Sequence, residues 1–112
     1  MQKIEAIITP FRLETVMSAL ADMGVHGFTV TETKGCGHQI GRGAIHRGKE
    51  YTNDYLPKLK LEMVVVKEIA TTIVKKIMHA AKTGRIGDGK IFVSPVESAI
   101  RIRTEERGQM AL

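Results

Sequence analysis

The sequence predicts a single α+β domain with a ferredoxin-like βαββαβ order and a long loop between its second and third strands. Three observations predict it. Two segments alternate with period two, each followed by an apolar stripe at helical spacing. A short strand-like segment follows each stripe. Between the two halves lies a stretch, 35–56, with neither period. A chain of 112 residues has room for one core and no second domain.

The elements follow in order. Lys3–Ile8 alternates charged with apolar residues and puts Ile4, Ala6 and Ile8 on one face. Thr9-Pro10 opens a helix, with threonine as cap and proline in the first turn. Leu13, Val16, Met17 and Leu20 form its stripe, and Gly24 stops it. Phe28–Thr33, rich in β-branched residues, reads as the second strand. Leu59, Leu61, Met63 and Val65 then alternate with Lys60, Glu62 and Val64 in the third. Ala70, Ile73, Val74, Ile77 and Ala81 mark the second helix. Lys90–Val93 is a short strand after a glycine-rich turn. Ala99–Thr104 alternates once more, with Ile100 and Ile102 opposite Arg101 and Arg103. Packing both helices on one sheet face leaves the other bare, with Ile7, Thr29, Thr31, Val64 and Ile91 on it. A partly apolar open face in so small a domain predicts oligomerisation.

Composition narrows the function classes. No apolar run is long enough to span a bilayer, and Met1-Gln-Lys-Ile-Glu5 lacks a signal-peptide layout, so the expected location is cytoplasmic. The one cysteine, Cys36, excludes an internal disulfide, and four scattered histidines do not supply a zinc site. The net charge of +5 favours an anionic partner. Aromatic residues make up only 4% of the chain, with no tryptophan, which speaks against nucleic-acid binding by base stacking.

The strongest local signal is Lys82-Thr-Gly-Arg-Ile-Gly-Asp-Gly-Lys90. Its glycines let backbone N–H groups approach a ligand, and Arg85 and Lys90 add positive charge, a composition suited to phosphate. Lacking the Gly-Lys-Ser/Thr order at a helix start, it is no Walker loop. Asp88 has the chemistry either to meet a metal or, more simply, to hold the tight turn. On a strand, Arg101 and Arg103 would point to one face and form a clamp for phosphate oxygens. The bland reading of the pair is a charged, solvated edge. The long 35–56 loop holds two tyrosines, two isoleucines and three positive residues, a composition unlike that of a plain linker. No nucleophile–base pair stands at telling spacing. Glu105 and Glu106 lie in the charged tail, and Cys36 and His38 lack a third orienting group. The chain therefore reads as a non-enzyme.

Taken together, Lys3-Ile-Glu-Ala-Ile-Ile8, Lys34-Gly-Cys-Gly-His-Gln39, Arg47-Gly-Lys-Glu-Tyr51, Leu56-Pro-Lys-Leu-Lys60, Thr83–Val93 and Ile100–Glu106 resemble the PII signal-transduction family, nitrogen regulatory proteins, along the whole chain. The resemblance implies one PII-like domain over 1–112, with a flexible T-loop at 35–56, a nucleotide-binding loop at 82–90 and a C-terminal segment at 101–112. It implies a homotrimer that binds ATP or ADP in clefts between protomers. One wall would be Ile7, Gly35, Gly37, His38, Gln39, Val64, Gly87, Asp88, Gly89 and Lys90. The adjacent protomer would supply Thr29, Arg101 and Arg103, and Glu62 would help position the adenine. It further implies Mg held through Gln39, and 2-oxoglutarate bound at Gln39, Ile40, Gly41 and Lys58. The T-loop would dock on an ammonium transporter, drawing the protein to the membrane, or on a nitrogen-metabolism enzyme. Tyr51 stands where a nucleotidylyltransferase modifies some members.

The chain departs from the pattern at three positions. His38 stands where members usually carry arginine, Ile40 where a basic residue is common, and His46 in place of tyrosine. Ile40 removes a charge near the oxo-acid site, and a histidine at 38, mostly uncharged above pH ~6.5, weakens a phosphate contact. They keep open a divergent paralogue sensing adenine nucleotides or another small metabolite. A slow ATPase is the enzymatic alternative, although no base to activate water is evident.

Overall fold

The computed structural model describes residues 1–35 and 56–112. Four strands are β1 (Gln2–Ile8), β2 (Thr29–Gly35), β3 (Leu56–Val65) and β4 (Gly89–Pro95). Two helices are α1 (Leu13–Asp22) and α2 (Lys67–Ala81). The sheet has the order β2-β3-β1-β4, and every neighbouring pair is antiparallel. The predicted split βαβ order is the one observed. No helix among the described residues is long and apolar enough to cross a membrane.

Register sorts the residues between faces. Ala6 pairs with both Leu61 and Ile91, and Leu61 with Val30, so these share the helix-covered side. Ile4, Ala6, Leu61, Val16, Leu20, Ile73 and Ile77 are wholly buried there and join strands to helices in one core. Ile7 pairs with Lys60 and Lys90, and these face the other way. That open face is more charged than the sequence suggests. Lys3 Nζ lies 2.8 Å from Glu62, and Lys60 lies 3.7 Å from the same carboxylate. Ile7, Val64 and Phe92 are its apolar members. Ile91, expected on the open face, lies on the helix side because it is opposite Ala6.

Three local expectations are corrected. Thr9 has extended backbone and caps nothing; its hydroxyl donates instead to the Gly87 carbonyl at 3.3 Å. Pro10 opens a 3-10 turn, Pro10–Arg12, which leads into α1. The second strand is shifted to Thr29–Gly35, because β3 begins at Leu56 and pairs with it as far as Gly35. Pro57 is tolerated there because that stretch of β3 runs beyond the end of β1 and has one neighbour only. Ala99–Thr104 is no strand. It makes a single bridge, Ile100 to Arg107, and turns at 102–104.

Two contacts fix the layers. Arg12 donates from Nε (3.0 Å) and Nη2 (2.6 Å) to the Ala80 carbonyl, closing the C-terminal turn of α2 and tying it to the entry of α1. Gly89, at φ +104°, starts β4 so close to β1 that a Cβ would collide with the carbonyl oxygen of Ile7.

Two stability outcomes follow. Gly89→Ala forces a rare φ and a backbone clash together, and should cost about 3 kcal/mol in urea unfolding. Leu61→Ala removes a wholly buried side chain from the centre of the core and should also cost about 3 kcal/mol. The two differ in reach: Gly89→Ala should loosen amide protection mainly along β4, whereas Leu61→Ala should lower it across the sheet.

Candidate functional site

The glycine-rich segment is a loop between α2 and β4, closed by one side chain. The Asp88 carboxylate accepts from the backbone N–H groups of Thr83 (2.8 Å) and Gly84 (2.9 Å) and from the Thr83 hydroxyl. Thr83 Oγ1 in turn accepts from the N–H of Arg85 at 3.2 Å. Asp88 is therefore the turn holder, with both oxygens occupied. Gly84, Gly87 and Gly89 all have positive φ, which lets the chain bend at 84–85, turn at 86–87 and still enter β4 in register. With the first amides taken by Asp88, the amides of Ile86, Gly87 and Asp88 are those that donate to no described group.

The loop is anchored from below. Lys58, on β3, is buried, and its ammonium donates to the Gly87 carbonyl at 2.5 Å. A buried lysine needs such an acceptor. Gly35, across the ladder, gives it room: a Cβ there would press on Lys58 Cγ at 3.0 Å. Ile7, Gly35, Lys58, Gly87, Asp88, Gly89 and Lys90 thus gather at the C-terminal end of β1. A cleft of about 330 Å³ opens beside them, between β4 and the last turns of α2, lined by Ile7, Ile8, Val74, Met78, Lys82 and Lys90.

A second group lies toward the opposite end of the sheet. Thr29 pairs with Glu62, and Val64 with Lys3; these line an open cleft of about 680 Å³ with Phe28 and Val96. Thr29 and Val64, which the resemblance puts on opposite walls, share this face of the chain. The Lys3 hydrogen bond holds the Glu62 carboxyl below the usual range, and the Lys3 ammonium is raised in turn. From Ile7 to Lys3 is roughly 14 Å of strand.

The arginines are placed differently from expectation. They do not share a strand face. Arg101 opens a turn beyond β4, bonded through its backbone to Glu105 and Glu106, and Arg103 lies within that turn. Arg101 is drawn back onto the chain's last residues, whereas Arg103 makes no hydrogen bond or ion pair among the described residues. The chain leaves β4 where Val96 N–H donates to the Met1 carbonyl, at the end of the sheet away from the glycine loop. Gly37, His38, Gln39, Ile40, Gly41 and Tyr51, with Cys36 and His46, lie outside the described residues. Among the described residues, no cluster of three metal-ligating side chains forms.

Sequence reading missed three contributors: Lys3 as partner of Glu62, Arg12 as the tie to α2, and Thr9 as a second donor to Gly87. No spacing announces them, since each partner is at least 59 residues away in sequence.

Hydrogen bonds to the carboxylate, first from Thr83, hold the Asp88 carboxyl below its ordinary value. Its stabilising contribution is therefore complete above the unfolded pKa of about 3.9 and is lost as pH falls through the lower folded value. Acid titration of loop amide shifts should show wild-type order persisting below pH ~4, and Asp88→Asn should remove that acid-dependent step.

The chain matches the family described as nitrogen regulatory protein P-II over residues 1–106. It is 55% identical to a nitrogen regulatory protein P-II of Rhizobium meliloti (strain 1021), 53% to that of Azospirillum brasilense and 51% to that of Haemophilus influenzae. Each match covers all of both chains over 112 residues. A crystal structure of Arabidopsis thaliana PII bound to citrate superposes with a TM-score of 0.82 at 40% identity, covering 99% of this chain and 91% of the other. With the topology, the closed glycine loop and full-length identity in agreement, the chain belongs to the nitrogen regulatory protein P-II family.

Proposed function

We propose that the protein is a nucleotide-responsive regulator that binds ATP or ADP in clefts between the protomers of a homotrimer. The observation that carries this reading is the Asp88-closed loop. It spends one carboxylate to hold three positive-φ glycines in place and leaves the amides before Gly89 turned loose beside Lys90. Phosphate oxygens suit that combination of amides and ammonium. Arg101 and Arg103 leave the sheet at its other end, about 20 Å of strand away. A neighbouring copy supplying them to the glycine loop is the economical arrangement. The open sheet face, with Ile7, Val64 and Phe92, is the surface such copies would cover. Thr29, Glu62 and Val64 offer a partly apolar cleft with a hydroxyl and a carboxylate, suited to a purine base.

Magnesium held through Gln39 and 2-oxoglutarate beside Lys58 complete the reading. Lys58 keeps two N–H bonds for a carboxylate while it donates to Gly87, so the oxo-acid would report directly on the nucleotide loop. Ligand state would select among conformations of the loop joining Gly35 to Leu56, and that loop would control an ammonium transporter at the membrane or a cytoplasmic nitrogen-metabolism enzyme. Tyr51 is the candidate for nucleotidylylation. The relatives are named as regulatory proteins, in keeping with control rather than turnover. Citrate bound to the plant relative is an anionic ligand of the same general chemistry.

Calorimetry with ATP and ADP, each with and without Mg and 2-oxoglutarate, tests this. Micromolar binding is expected, weakened at least tenfold by Lys90→Ala or Arg103→Ala, each of which removes a charged phosphate contact. Absence of any adenine-nucleotide binding by the wild-type protein would overturn it. Sedimentation should give the mass of three chains.

A further inference from the structure

The sequence presents Arg101 and Arg103 as an equivalent pair, and the structure makes them unequal. Arg101 is seated within a small closed turn. Its backbone N–H donates to the Glu106 carbonyl at 2.9 Å, and its carbonyl accepts from Glu105 N–H at 2.7 Å. Glu105 takes φ 62°, a left-handed conformation uncommon outside glycine, to close that turn. One edge of the Arg101 guanidinium is then held by acceptors. Nη2 donates to a main-chain carboxyl oxygen of Leu112 at 2.7 Å, and Nε and Nη2 reach the Ala111 carbonyl at 3.4 Å. The Glu106 carboxylate stands 3.9 Å from Nε. That carboxylate is itself fixed, because Thr104 Oγ1 donates to it at 2.7 Å. Arg103, two residues on, has no such partner among the described residues.

A guanidinium has five N–H donors in a rigid fork, on more than one edge. Fixing Nε and Nη2 leaves the two N–H bonds of Nη1 without an acceptor among the described residues and the planar fork in one orientation. The flexible stem is then already ordered before an anion arrives, so less rotamer freedom is lost on binding.

We propose that Thr104 and Glu106 are positioning residues: they brace one edge of the Arg101 guanidinium so that its other edge is presented, pre-oriented, to the anionic ligand, while Arg103 acts as an unbraced, adaptable contact. The inference rests on the reading of Arg101 as a nucleotide contact and adds what that reading lacks, a division of labour between the two arginines. Glu106 acts through Arg101 and need not touch ligand. The brace also demands arginine. A lysine ammonium is a point charge on a flexible stem and cannot serve brace and ligand with two fixed edges.

The test is a double-mutant cycle read by ATP calorimetry on the full chain, with melting temperatures as the fold control. Glu106→Gln removes the charge and should weaken ATP about threefold to fivefold, within the range of a partly exposed charge pair. Thr104→Val should weaken it by a similar factor. In an Arg101→Ala background both effects should vanish; in an Arg103→Ala background they should persist in full. Arg101→Lys should lose nearly as much as Arg101→Ala. Equal effects of Glu106→Gln in both arginine backgrounds would show a general disturbance of the tail and overturn the brace, as would wild-type affinity in Glu106→Gln and Thr104→Val together. If wild-type protein binds ATP and Arg101→Ala binds it equally well, Arg101 is no ligand contact. In that case the nucleotide reading survives and this inference fails. If wild-type protein binds no ATP, the reading beneath it fails first.

Discussion

Much of this structure depends on how closely β4 can approach β1. Gly89 stands against the carbonyl of Ile7 in a space that no side chain can enter. From that contact the β1–β4 ladder runs in register to Pro95, and Ile91 is set over Ala6 in the core. The same contact decides where the preceding loop must lie. A chain that leaves α2 at Ala81 and must reach Gly89 beside Ile7 has seven residues in which to turn. Asp88 takes up the amides that would otherwise be stranded there. Packing, chain reversal and the candidate phosphate site are thus one arrangement.

The loop is held from two sides by groups that do different work. Asp88 organises it internally, with the loop's own amides. Lys58 and Thr9 hold it to the sheet through a single acceptor, the Gly87 carbonyl. A charged group on β3 is therefore one hydrogen bond from the loop that would hold phosphate. An anion on the remaining Lys58 N–H bonds would share the ammonium that holds that tie, which is the sort of differential contact that coupling between two ligands requires. Charge elsewhere is also shared out between partners: Glu62 is neutralised by Lys3 and Lys60 on the open face, while Arg101 is satisfied along one edge by the tail.

Local signals were legible where a residue's neighbours in sequence are also its neighbours in space. The two helices, the alternation of β1 and β3, and the helix stop at Gly24 are of this kind, and each stands where its pattern puts it. The reading failed at Ala99–Thr104, where alternation of isoleucine and arginine mimics a strand. A strand needs a partner ladder, and this segment finds only one bridge before its backbone turns onto itself. It failed at Thr9 for a similar reason. A threonine before proline suits a cap, but the Gly87 carbonyl, far along the chain, captured the hydroxyl. Ile91 was misassigned because the side a short edge strand presents depends on register, and register is set across the ladder.

By itself, then, the sequence determined the α+β order, most of the core, with exposed Met17 and helix-side Ile91 as exceptions, and the chemistry available to the glycine loop. Those follow from period, turn residues and charge, which are properties of neighbouring residues. Only the tertiary structure decided which face each strand presents, that Asp88 closes the loop, that buried Lys58 holds Gly87, and that Arg101 and Arg103 are unequal. Each of these is a pairing between groups that the chain must fold to bring together, and hydrogen bonds of about 3 Å leave no trace in sequence spacing.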